Sequence, residues 1–81
     1  MRKILRFTAS WCQPCKALAG IIEQVKTTMP IEVIDIDENT EMAVKYGVRS
    51  VPTLIIVDEL GNAKEKMVGL KAKNLVEEFL K

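Results

Sequence analysis

Cys12-Gln13-Pro14-Cys15 is the run in this 81-residue chain whose residue types and spacing point to covalent chemistry. The chain has two cysteines and no histidine. Nucleophile systems of the Ser–His–Asp and Cys–His kind are excluded for want of the base. A closed zinc site takes four Cys or His ligands, and one chain supplies only two. Cysteines three positions apart close too short a loop to staple distant segments, which makes a stabilising role a poor explanation. Redox work is what remains. Thiol–disulfide exchange needs a thiolate, an electrophilic disulfide and a second thiol that releases the mixed intermediate. Residues three apart on a helix share a face, so two sulfurs there reach bonding distance. At a helix N-terminus, unpaired N–H groups and the positive dipole end favour negative charge on the first cysteine. Cys12 is therefore assigned as the attacking thiolate. Cys15, one turn further in, is the resolving thiol, expected to be more buried and protonated until needed. No metal and no cofactor is implied.

The elements that must position this pair follow from patterning. Lys3 to Thr8 reads as a strand that leads into Ala9-Ser10-Trp11. From Cys12 to about Thr28 the spacing of Leu18, Ile22, Val25 and Met29 predicts a helix, with Pro14 tolerated in its first turn. Gly20 inside it marks a bend or close packing. Ile31 to Ile36 is a second strand. Asp37 to Thr40 offers capping acceptors for a short helix from Glu41 to Tyr46, with Gly47 as a left-handed terminator. The apolar run Thr53 to Val57 suits a central strand covered on both faces. Gly61-Asn62 turns it into a hairpin with Ala63 to Val68. The last helix spans about Lys71 to Leu80, with Leu75, Val76, Phe79 and Leu80 toward the core and no capping side chain at Ala72. The order β-α-β-α-β-β-α predicts one α/β domain over residues 1–81, with parallel pairing of the first strands and an antiparallel edge.

With these elements in place, the sequence resembles the thioredoxin family. Ser10-Trp11-Cys12-Gln13-Pro14-Cys15-Lys16 is similar to that family's active-site motif, with Gln13 where glycine is usual. Tyr46-Gly47-Val48-Arg49-Ser50-Val51-Pro52-Thr53 is similar to its cis-proline stretch, and Val68-Gly69 and Phe79-Leu80 to later landmarks. The resemblance runs along essentially the whole chain. Family members typically carry a further strand and helix ahead of the matching residues. The fold it implies is the minimal thioredoxin fold, a four-stranded mixed sheet with three helices. It also implies reduction of protein disulfides, with a thioredoxin reductase or another reductant, glutathione included, as electron donor. Taken alone, Pro52 reads as an ordinary trans proline that starts a strand. The resemblance makes Val51–Pro52 cis and leaves the Val51 backbone free to pair with an extended substrate. Trp11 reads either as core filler or as a shield and contact surface for the thiol. Gly69 is either a strand-end glycine or an opening for substrate, and Lys16 either a solvated cation or mild support for the thiolate.

The departures from the family pattern are specific. Arg6 stands where the family keeps a buried aspartate, and Val33 where it keeps that aspartate's lysine partner. Thr8 replaces a tryptophan and Gly20 a kinking proline. The carboxylate that relays the Cys15 proton is thus missing. Arg6 either points inward, favouring thiolates and a more oxidising couple, or snorkels out from a sheet edge.

Composition bounds the rest. Twelve basic residues against eleven acidic ones give a net charge of +1, with no electrostatic pull toward nucleic acid or an anionic membrane. No apolar run approaches the ~20 residues that span a bilayer, and the start shows no export signal. A cytoplasmic monomer is the expectation. Rival readings are a glutaredoxin-like enzyme, a non-catalytic binding subunit, an exported oxidant or isomerase, and a pair of chains sharing a metal or Fe–S cluster. Chain length suits a glutaredoxin. Gln13-Pro14 between the cysteines, and no second glycine after Gly69, argue against one.

Overall fold

A computed structural model describes residues 1–81. Its elements run in the order β1 (Lys3–Thr8), α1 (Gln13–Glu23), β2 (Ile31–Asp35), α2 (Thr40–Lys45), β3 (Thr53–Val57), β4 (Ala63–Val68) and α3 (Lys73–Phe79). The strands form one four-stranded mixed sheet in the order β2-β1-β3-β4. Side chains alternate between faces along each strand. Ile4, Leu54 and Ile56 therefore pack with Leu18 and Ile22 of α1 and with Val76 and Leu80 at α3. Leu5, Phe7, Ile34, Ile55 and Val57 point the other way, where Met42 and Tyr46 from the α2 region cover them. Every residue of β3 is buried, as its continuous apolar run requires.

Chain direction decides where the chemistry sits. β1 and β2 are parallel, joined by the α1 crossover. β3 then enters on the other side of β1 and runs antiparallel to it. β3 therefore starts at the edge of the sheet where β2 finishes. The end of β1, the start of β3 and the end of β4 consequently meet at one edge, with Phe7 opposite Thr53 and Thr53 opposite Val68.

All three helices depart from the pattern-based bounds, α1 and α3 most. α1 stops at Glu23 rather than near Thr28, because Gln24 and Val25 donate to the carbonyls of Ile21 and Ile22, a tightened turn three residues back. Val25 and Met29 still pack on the core, but from a loop. Thr27 organises that loop: its hydroxyl donates to the Leu80 carbonyl at 3.1 Å and accepts from the Met29 N–H at 3.2 Å. α3 starts at Lys73 with Ala72 as an N-cap that offers no side-chain bond. Leu75, expected inward, is 52% exposed, because a seven-residue helix resting on Val76 turns it outward. β2 and α2 each end one residue earlier than expected, at Asp35 and Lys45. Gly47 has φ +66°, the left-handed turn that lets the chain leave α2.

A methyl group at Gly20 would meet no atom within 4 Å, so close packing does not explain this glycine. Gly20→Ala is expected to stabilise the fold by about 0.5–1 kcal/mol, read as a higher Tm. A second prediction concerns the β3–β4 turn. The Asp58 carboxylate accepts from the Asn62 and Leu60 N–H groups, both at 2.9 Å, with Lys64 at 3.5 Å. The Asn62 N–H above all holds its pKa below the usual value; burial opposes it, and the Leu60 N–H and Lys64 add to the lowering. A lowered carboxyl pKa gives stability that is complete above the unfolded value and drains away as pH falls through the folded one. Acid titration of the Tm, from about pH 4 downward, is expected to be shallower in Asp58→Asn than in wild type.

Candidate active site

Cys12 follows the turn that ends β1 and is the N-cap of α1, with extended backbone angles of −92° and 105°. The helix itself begins at Gln13, one residue later than the sequence suggested, and Pro14 lies in its first turn, where no N–H is needed. An N-cap side chain accepts from an orphan N–H of that turn. Here the acceptor is sulfur: the Cys15 N–H points at Cys12 Sγ across 3.2 Å. The two cysteines form a disulfide, with Cα atoms 5.3 Å apart. Both are buried, Cys12 at 3% exposure and Cys15 at 1%, so the expected contrast in burial is slight in this oxidised form. What separates them is position: Cys12 caps the helix and Cys15 lies within it.

Three segments enclose the pair. Ala9, Ile36 and Val51 pack around the sulfurs. The Val51–Pro52 peptide bond is cis. It is Val51, rather than the proline ring, that presents a polar atom to the sulfur, its carbonyl oxygen lying 3.7 Å from Cys12 Sγ. The Val51 N–H donates to no other group of the chain. The Pro52 carbonyl accepts from the Gly69 N–H at 2.8 Å, which ties the end of β4 to the start of β3. Gly69 has φ +88°, and a Cβ there would enter open space. Its glycine is thus required by backbone conformation, and the space beside it is vacant.

The rim is exposed. Gln13, Pro14 and Lys16 face solvent. Trp11 is 65% exposed, so it is no core filler. Its indole N–H donates to the Asp37 carboxylate at 2.8 Å, which lays the ring across from the loop after β2. Sequence reasoning missed Asp37, because nothing in its spacing shows that the β2 loop returns to Trp11. Of the residues singled out from the sequence, Trp11, Gln13 and Pro14 flank the cysteines in the chain, and the fold brings Val51 and its neighbour Pro52 to them. Gly69 joins through its bond to the Pro52 carbonyl.

Arg6 lies in β1, an inner strand between β2 and β3, so it does not snorkel from a sheet edge. It is half-buried on the face that α1 covers, where burial pulls its pKa down and Glu23 pushes it back up.

Comparison with known proteins fits this geometry. The family model described as Thioredoxin matches residues 2–81. The chain belongs to the thioredoxin family. It is 42% identical over 78 residues to thioredoxin of Bacillus subtilis, spanning 91% of this chain and 74% of that one. It is 38% identical over 81 residues to thioredoxin of Rickettsia bellii, covering 95% and 76% of the two. A solved structure of a mutant thioredoxin from Halobacterium salinarum superposes with a TM-score of 0.87 at 34% identity, covering 98% of this chain and 71% of that one. A paired Cys12–Cys15 disulfide in this fold is the redox centre of a thiol–disulfide oxidoreductase, acting as a protein disulfide reductase.

Because Trp11 is exposed, Trp11→Ala is expected to change stability by no more than about 0.5 kcal/mol. Steady-state kinetics should instead show a KM for a protein disulfide raised severalfold, with little change in kcat.

Proposed function

We propose that this chain, acting as a monomeric single domain over residues 1–81, reduces protein disulfides by a two-step exchange. Cys12, as thiolate, attacks one sulfur of the substrate disulfide and forms a mixed disulfide, and the other substrate sulfur leaves. Cys15 then attacks Cys12 Sγ, which restores the Cys12–Cys15 bond and releases the second substrate sulfur. The observation that carries the assignment is the Cys15 N–H directed at Cys12 Sγ. This donor, with the positive end of α1, favours negative charge on Cys12 over Cys15.

Substrate lies across the exposed rim. Trp11, Gln13 and Pro14 contact it from one side and Val51, Pro52 and Gly69 from the other. The unpaired Val51 N–H supports pairing with an extended segment in the manner of an added strand. The vacant space beside Gly69 supports close approach of that segment. The dithiol is regenerated by a thioredoxin reductase, with glutathione as the alternative donor, in a reducing compartment such as the cytoplasm. The reading involves no nucleic acid, membrane, metal or cofactor, and no helix is long and apolar enough to cross a membrane.

The test is reduction of an insulin-type disulfide substrate, driven by a thioredoxin reductase or by glutathione in parallel. Turnover is expected with the reductase and little with glutathione, and the reverse would favour the glutaredoxin-like reading. Cys12→Ser should abolish turnover, whereas Cys15→Ser should accumulate a covalent Cys12–substrate adduct visible by non-reducing electrophoresis. Full activity in a double Cys→Ser variant would overturn catalysis and favour a binding subunit.

A further inference from the structure

Beneath α1, on the sheet side of the disulfide, is a cavity of about 270 Å³ whose lining includes Arg6, Thr8, Cys15, Lys16 and Asp35. Alternation along the strands places Arg6 and Thr8 of β1 and Asp35 of β2 on this one face. The resolving cysteine thus lines the same open pocket as Arg6, which the central sheet holds. Nothing in the exchange described so far uses that charge.

We propose that Arg6 is a positioning residue for Cys15, its fixed positive charge favouring the Cys15 thiolate at the moment of resolution. The proposal rests on Cys15 being the resolving thiol. In the mixed disulfide Cys15 loses its thiol proton to solvent through the cavity. The thiolate attacks Cys12 Sγ, the bond from Cys12 to the substrate sulfur breaks, and the electron pair leaves on that sulfur, which takes a proton from solvent. An opposite charge close by favours the charged form of an acid. Arg6 keeps its own charge despite partial burial, since a guanidinium does not deprotonate in proteins.

The surrounding charges set the balance. Lys16, on α1, adds a second positive charge at the outer lip of the cavity, where solvent screens it. Asp35, from β2, opposes. One of its oxygens is already engaged by the Asp37 and Glu38 N–H groups at 2.8 and 3.3 Å. Glu23, at the end of α1, acts on Arg6 itself. Thr8 is neutral. From the sheet side Arg6 and Asp35 carry opposite charges, and of the two it is Asp35 whose charge is already engaged by backbone donors. A favoured dithiolate also stabilises the reduced protein and makes the couple more oxidising.

The experiment titrates the ultraviolet thiolate absorbance of the reduced protein in wild type, Arg6→Gln, Arg6→Met and Arg6→Lys. The cysteines ionise in two macroscopic steps that belong to the pair. In the two neutral variants the upper step is expected to rise by about one pH unit or more, a roughly tenfold weaker acid. Arg6→Lys should restore it. Above the pH of that step, equilibrium with glutathione should shift about tenfold toward the disulfide form in the neutral variants, which is about 30 mV more reducing. Arg6→Met keeps an apolar stem of similar reach should Arg6→Gln fold poorly. An unmoved upper step in the neutral variants, or a lysine variant displaced as far as they are, would overturn the proposal. Failure of Cys15→Ser to trap substrate would instead sink the assignment of the resolving thiol, whatever Arg6 does.

Discussion

The Cys15 N–H aimed at Cys12 Sγ is the interaction on which the rest of the molecule depends. A helix start leaves orphan donors, and most proteins satisfy them with an oxygen from serine, threonine, asparagine or aspartate. Here the capping atom is the reactive sulfur. The same donor that completes the helix in the disulfide form is available to a thiolate once the bond opens. Structure and reactivity thus share one hydrogen bond, and neither the cysteine nor the helix start can shift without the other. The rest of the fold keeps that helix end fixed against the sheet and brings a second backbone segment to face it.

That second segment arrives through the direction of the strands. β3 runs antiparallel to β1 and starts beside its end. The consequence is that the Val51 carbonyl meets Cys12 Sγ and the Val51 N–H is left unpaired. The segment is then tied on both sides: the Thr53 hydroxyl donates to the Ser50 carbonyl at 2.8 Å, and the Gly69 N–H to the Pro52 carbonyl. A strand buried along its whole length anchors it from below. In the proposed reading, a segment supported in this way would meet an extended substrate already ordered, which lowers the entropic cost of docking.

Much of this was legible in the sequence, and the remainder was not for identifiable reasons. The apolar run Thr53 to Val57 announced a central strand because both its faces need cover, and the spacing of Cys12 and Cys15 announced redox chemistry because histidine is absent. The end of α1 was misread because Val25 and Met29 continue the helical spacing while packing from a loop, so periodicity reported burial rather than helix. Leu75 was misplaced because an apolar residue on a short helix carries no sign of which way one turn will face. Asp37 was missed because its partner Trp11 is 26 residues away, and spacing within one element cannot see a contact between two. Arg6 was ambiguous for a similar reason. Alternation along β1 gives its face, but only the strand order β2-β1-β3-β4 shows that β1 is internal and that the face is the one α1 covers.

Electrostatics then divides the two cysteines more sharply than burial does. Cys12 and Cys15 are nearly equally hidden in the disulfide, so exposure alone does not rank them. Cys12 is addressed from the helix side, by the orphan N–H and the positive end of α1. Cys15 is engaged inside the helix and borders the cavity that Arg6 enters from the sheet. A charge on the sheet side would, under the proposed roles, act on Cys15 without crowding the exposed rim of Trp11, Gln13 and Pro14. In a chain of 81 residues the sheet that serves as core is also the nearest rigid element from which such a charge can be held. An arginine suits that position because its stem packs among apolar neighbours while its planar head keeps its charge under partial burial. A carboxylate at the same place would have to gain and lose a proton to assist, whereas a guanidinium acts by a fixed field. The identity of the residue at position 6 therefore decides whether Cys15 is served by proton transfer or by static charge.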